Sequence, residues 1–308
     1  MFSIFRGKSY AYGLHLELGG MNVVGIGRSP AGYRVCYSSF FPSGNGNTPR
    51  DIILEIGLEE LAGSIDCGAP VVAAMPGEYI RVRNFTVPRM PFRDPENSVE
   101  WEMRLLTPGQ DMVVRALRLG KCRQDGNVML DILGVAVPIP LAVGFYSRFS
   151  KVGIKLAAVE PEFIGLWYLL ERTGHYSLQK DRCTAVAHIS KAGTCLMVCR
   201  KKSIVFCRHI HPEAGGELVG DASSGPYPGT GILGEISSAL RDFSSRGQGG
   251  DIGIIYLCGA VGDLFSDSKT FTSGSLDYCL LETELGYGET VPPGLAVATG
   301  LALRGLTG

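Results

Sequence analysis

Three glycine-bearing turns carry residue types that suit a polyphosphate: Leu16-Glu17-Leu18-Gly19-Gly20-Met21-Asn22-Val23, Ile189-Ser190-Lys191-Ala192-Gly193-Thr194, and Leu257-Cys258-Gly259-Ala260-Val261-Gly262. Glycine lets a chain approach a ligand closely, and successive backbone N–H groups in such a turn point toward an anion. Gly19, Gly20, Met21 and Asn22 in the first turn, and Lys191, Gly193 and Thr194 in the second, would hold phosphates from opposite sides. Gly259 and Gly262 in the third would border a purine, and Glu17 is the acidic residue of the first turn. Each turn taken alone is an ordinary glycine hairpin.

The other constellations carry less chemistry. Cys207, His209 and His211 lie close together but lack a fourth ligand at a zinc-site spacing, so no metal is expected there. His188 lies in an apolar run and reads as a core histidine, and Cys195 and Cys199 read as structural thiols. Glu100 and Glu102, two apart on a helix, do not converge as an acid/base pair, and Trp101 and Met103 beside them read as core.

Positioning these turns takes a large core, and the composition supplies one. The 308 residues are 45% hydrophobic and 19% charged, which suits two lobes of roughly 150 residues. A net charge of −1 with scattered Lys and Arg leaves no basic surface for nucleic acid. Nine cysteines without CxxC pairs suit thiols kept reduced, hence a cytoplasmic protein. The N-terminus does not read as a cleaved signal, and the greasiest stretch, Met129 to Phe145, is interrupted by Asp131, Pro138 and Pro140. Any membrane contact is expected through a partner.

Alternating segments at Tyr12–Arg28 and Gly32–Phe41 predict a β-meander, followed by a helix over Arg50–Leu61 and a strand over Pro70–Met75. A strand over Tyr79–Val87 leads to a helix capped by Asp94 with Pro95 at its first position, then two strands, Met112–Leu119 and Val128–Val137, and a helix over Leu141–Val152. Ile154–Val159 reads as a strand and Glu162–Arg172 as a helix. The meander recurs at Cys183–Ile189, Cys195–Arg200 and Ser203–His209, then a helix over Ile232–Phe243, a strand over Ile252–Leu257 and a small-residue helix over Pro293–Gly305. The recurrence predicts two lobes of like topology: 1–68 with 154–174, and 183–292. Residues 69–153 read as an inserted α/β module, and 293–305 as a helix packing back on the first lobe.

The order of the three turns resembles that of the actin and FtsA superfamily. More narrowly, Val71-Val72-Ala73-Ala74-Met75-Pro76-Gly77, Val82 through Pro91 with its Pro88-Arg89-Met90-Pro91, Glu100-Trp101-Glu102-Met103 and the ending Pro293 to Gly305 are similar to the PilM family of type IV pilus and competence platforms. The resemblance implies a two-lobed actin-like α/β fold with an FtsA/PilM-type insert, ATP and Mg²⁺ as cofactors, and a role in pilus or type II secretion assembly. It implies as partner the cytoplasmic N-terminal peptide of a PilN-like inner-membrane protein, and motor ATPases indirectly. The candidate groove lies near Val82, Phe85, Val87 and Trp101.

The departures from the family pattern bear on the chemistry. Glu17 stands where the family has Asp, which makes it the catalytic candidate that the resemblance implies; Gly20 and Met21 replace hydroxyl residues, His188 and Ser190 fall where Asp-Ile-Gly is expected, and Cys258-Gly259-Ala260 replaces Gly-Gly. Weakened ATP binding with little or no hydrolysis is the expectation. The alternative is an active small-molecule kinase or ATPase of the same superfamily. An FtsA-like membrane anchor would need an amphipathic C-terminal helix, and Leu301–Gly308 is too short for one.

Overall fold

A computed structural model describes residues 9–307, apart from 18–19, 31, 43–49, 67, 76, 90–93, 107–108, 125, 176–181, 192, 212–228, 246–249, 266–267 and 286–289. The Gly/Asn/Pro loop after the first meander, most of the polar linker before Cys183 and most of the Gly/Ser/Pro stretch before α5 fall outside the described residues. The chain divides into two compact units, one of residues 1–76, 143–174 and 282–308, the other of 77–142 and 175–281.

The first unit is built on a five-stranded sheet. Strands β1 (Tyr10–Glu17), β2 (Gly20–Ser29) and β3 (Gly32–Pro42) form the meander. Helix α1 (Arg50–Ser64) leads to β4 (Val71–Met75), which pairs parallel to β1, and β8 (Leu156–Pro161) pairs parallel to β4. The order is β3-β2-β1-β4-β8. β1 and β4 are buried along almost their whole length, which is why they read as near-continuous apolar runs. The outer strand β3 alternates, and its pattern reads as a half-exposed edge.

One face of this sheet is closed by two helices in close contact, α4 (Glu162–Thr173) and α6 (Ala296–Gly305). Every residue of α6 except Arg304 is buried. A Cβ on Gly300 would stand 1.7 Å from the carbonyl oxygen of Gly165 in α4, and one on Gly13 in β1 would stand 1.9 Å from that of Ala298 in α6. Backbone therefore packs on backbone at both crossings, as only glycine permits. Arg304 reaches out of the packed face to Glu160 at 3.4 Å and lies over the Tyr168 ring.

The second unit carries a six-stranded sheet of order β11-β10-β9-β12-β14-β13, the same 3-2-1-4 arrangement of meander and following parallel strand as in the first. Its strands are β9 (Cys183–Ser190), β10 (Gly193–Arg200), β11 (Ser203–Ile210), β12 (Ile252–Gly259), β13 (Thr270–Ser273) and β14 (Leu276–Leu280). Helix α5 (Gly229–Ser245) covers one face through Ile236, Ala239, Leu240 and Phe243. The β13–β14 hairpin had no sequence expectation, because Thr270–Leu280 has a short apolar pattern around an exposed Gly274 turn.

A three-stranded sheet of order β5-β7-β6 belongs to the same unit, formed by β5 (Arg81–Pro88), β6 (Met112–Gln124) and β7 (Asn127–Pro138). Helix α2 (Pro95–Leu105) packs on it through Val99 and Met103, with Asp94 Oδ1 accepting from the Glu96 N–H at 3.1 Å as the cap. Helix α3 (Ile139–Lys151) follows β7.

The expected insert at 69–153 is too wide. β4 belongs to the first sheet because its apolar run pairs with β1, and residues from 143 onward group with that unit. Residues 282–292, expected in the second lobe, also group with the first unit, where the Leu285 carbonyl accepts from the Tyr33 N–H at 3.1 Å.

Replacing Gly300 by Ala should cost more than about 3 kcal/mol in urea unfolding, because the obstruction is a carbonyl that cannot rotate away. Gly231→Ala in α5, where a Cβ meets nothing within 4 Å, should be neutral or stabilise by up to about 1 kcal/mol.

Candidate functional site

In the first unit Gly13, His15 and Glu17 alternate along β1 onto the face that α4 and α6 cover. His15 is fully buried, with Nδ1 3.0 Å from Glu17 Oε1 and Nε2 3.1 Å from Glu162 Oε1. Glu162 is the first residue of α4, directly after Pro161 ends β8, so its carboxylate sits at the positive end of a helix dipole. Asn22, opposite His15 in the β1–β2 register, donates from Nδ2 to Glu17 Oε1 at 3.4 Å and to the Gly294 carbonyl at 3.3 Å. The imidazole thus joins β1 to the start of α4, and Asn22 joins Glu17 to the segment before α6.

Nε2 is hydrogen-bonded to Glu162, and Nδ1 lies at ion-pair distance from Glu17, so the two carboxylates together favour a positively charged ring. Burial, the largest single influence on His15, pulls its pKa down. The hydrogen bonds and charges of Glu162 and Glu17 together outweigh it and raise the value from 6.5 to about 9. The site is a buried imidazolium between two carboxylates.

Several residues of the first predicted turn are therefore engaged within the fold. Glu17 is engaged with His15 and with Asn22, Met21 is core, and Gly20 opens β2 at φ 149° against the Phe41 carbonyl. Gly19 lies outside the described residues. Sequence reasoning missed His15 and Glu162; the available signal was a histidine two positions before Glu17 on a strand, hence on the same face.

In the second unit Lys191 is exposed at the tip of the β9–β10 hairpin and Gly193 opens β10 at φ 133°. The Ser190 hydroxyl donates to the Gly193 carbonyl at 3.0 Å, which closes the hairpin on itself. Thr194 is fully buried. Gly259 has φ 88°, and a Cβ there would stand 2.2 Å from the Ile189 carbonyl, so packing of β12 against β9 explains this glycine. Gly262 begins a short 3-10 turn and is open. His188 is fully buried in β9, in register with Cys195 on one side and Cys258 on the other.

Two buried thiols of this unit, Cys199 and Cys207, are held in the unreactive protonated form. Burial pushes Cys199 up to about 12 and raises Cys207 well above the ordinary thiol range. His209 and His211 meet ring to ring with centroids 4.7 Å apart, and β11 already ends at Ile210. The residues named for a partner groove do not share one surface. Phe85 and Val87 pack beneath α2, Val82 lies on the opposite side of β5, and Trp101, expected in the core, is 62% exposed on the outer side of α2 with Leu105 at 57%. Asn84, on the Val82 side, donates to the Cys207 carbonyl at 2.7 Å and ties β5 to β11.

Because the pKa of His15 is raised, its charge stabilises the fold fully below pH 6.5, and that contribution is lost as pH rises through about 9. It amounts to on the order of 3 kcal/mol. Urea unfolding of the wild type at pH 6 to 10 should show that loss; His15→Gln should start less stable and show a flatter profile.

No protein-family model and no curated protein matches the sequence. Among solved structures, the chain is similar to one of the PilM-PilN type IV pilus biogenesis complex, at 17% identity and TM-score 0.70 over 96% of this chain and 98% of that one. It is also similar to the cytoplasmic domain of EpsL, an inner-membrane component of the type II secretion system of Vibrio cholerae, at 13% identity and TM-score 0.51 over 97% and 96%. The end-to-end match, with a meander-led sheet in each unit, gives this chain the actin-like α/β fold.

Proposed function

We propose that this chain is a cytoplasmic platform of a type IV pilus or related type II secretion assembly, and that it holds a short cytoplasmic segment of a PilN-like inner-membrane partner. One observation carries the reading: the fold coincides, nearly end to end at TM-score 0.70, with a chain solved in a PilM-PilN complex. The likeness to the cytoplasmic domain of a secretion-system membrane component points the same way. No helix among the described residues is long and apolar enough to cross a membrane, which suits attachment through a partner.

The site chemistry supports a binding role over phosphoryl transfer. In the first unit the acidic groups are taken up by His15, and in the second the hairpin hydroxyl of Ser190 is taken up by its own backbone. ATP binding through Gly19, Gly20, Lys191, Gly193 and Gly259 is accordingly weak in this reading, with little turnover, and motor ATPases act on the platform only indirectly. The partner surface includes the outer side of α2, where Trp101 and Leu105 lie one helical turn apart and exposed. Exposed aromatic anchors of this kind carry a large share of peptide affinity.

A labelled peptide from the N-terminus of a PilN-like inner-membrane protein of the same organism should bind saturably in fluorescence anisotropy, and Trp101→Ala should weaken it by about tenfold. Absence of saturable binding by the wild type would sink the platform reading. Tight Mg-ATP binding with steady phosphate release would favour a kinase or ATPase instead.

A further inference from the structure

The actin-like fold implies Mg²⁺ with a nucleotide, and the residues of the first unit do not fit that ion. Mg²⁺ requires close to six oxygen ligands in regular geometry and is usually held by one or two carboxylates that keep it partly hydrated. The carboxylates of this turn are Glu17 and Glu162, and each directs an oxygen at His15. The ring lies between them with no exposed surface. An imidazole with hydrogen on both nitrogens has no lone pair for a metal, and its positive charge repels one. Asn22, on the facing strand, is turned with Nδ2 toward Glu17 and the Gly294 carbonyl, to both of which it donates.

We propose that the His15 side chain is a resident cation: it occupies, between Glu17 and Glu162, the position of positive charge that a divalent ion would otherwise supply, so the repulsion of the carboxylate pair is offset and this unit folds without Mg²⁺ and does not bind it. The arrangement is built by the fold. β1 presents His15 and Glu17 on one face, and the α4 start supplies Glu162 from 147 residues away. Each partner lies at ion-pair distance, and all three groups are shielded, Glu17 the least at 19% side-chain exposure. A buried carboxylate pair without a cation between would be strongly destabilising, which gives the histidine a specific structural task. His15 acts here as a positioning residue, and the inference holds whether or not the chain binds a pilus partner.

The test uses the full chain in metal-free buffer, with thermal unfolding and Mn²⁺ binding by electron paramagnetic resonance as readouts. The wild type should show no rise in Tm with millimolar Mg²⁺ beyond that produced by NaCl of equal ionic strength, and no Mn²⁺ binding that Glu17→Gln abolishes. His15→Asp leaves three carboxylates facing one another; it should be less stable than the wild type in metal-free buffer and regain stability by several degrees with Mg²⁺ or Mn²⁺. His15→Asn, close in shape and neutral, should also gain a divalent response, and it decides the matter if His15→Asp does not fold. Divalent binding by the wild type that depends on Glu17 overturns the proposal. So does the absence of any divalent response in folded His15→Asn.

Discussion

The closest constraint in the molecule is the contact of backbone with backbone where α6 crosses α4 and lies on β1. Gly300 meets the carbonyl of Gly165, and Gly13 meets the carbonyl of Ala298, at separations that leave no room for even a methyl group. Such crossings draw a helix in until its main chain, and not its side chains, sets the spacing. The polar features of the first unit follow from that approach. α4 is brought against the sheet with its first residue, Glu162, over β1, and the segment entering α6 brings the Gly294 carbonyl to Asn22.

Within that enclosure the charge is settled locally. A lone histidine so deeply buried would lose its proton, and a lone buried carboxylate would keep one. Together they stabilise each other, because the low-dielectric setting that penalises isolated charge strengthens their attraction. The cost is commitment. Glu17, the residue best placed by sequence to act on a ligand, is bound to the fold itself through His15 and Asn22.

The second unit repeats the topology with different contents. Its sheet has the same meander and following parallel strand, and His188 stands two residues before the end of β9 as His15 does in β1, but with Cys195 in the register position of Asn22, Cys258 in that of Ala74 and Ser190 in that of Glu17. The topology persists because strand order and burial depend on which segments are apolar throughout, whereas the chemistry of a turn depends on a few side chains that can change without disturbing the ladder. The small β5-β7-β6 sheet joins this unit through a side chain, since Asn84 occupies a bonding position on the edge of β11 that another strand would otherwise take.

Much of this was legible in the residues. Both meanders, the Asp94-Pro95 helix start and the buried small-residue tail followed from alternation, capping chemistry and the size of Gly and Ala, all of which act over a few neighbouring positions. The β13–β14 hairpin was not, because its strands are short and half-exposed. Trp101 was misplaced because Pro95, Val99 and Met103 complete the buried stripe of α2, which leaves the residue between the last two outside. The character of the candidate site belongs wholly to tertiary structure. His15 and Glu162 are 147 positions apart, and no local pattern relates them; only the closure of α4 and α6 on β1 converts a histidine and two glutamates into one buried, charged unit.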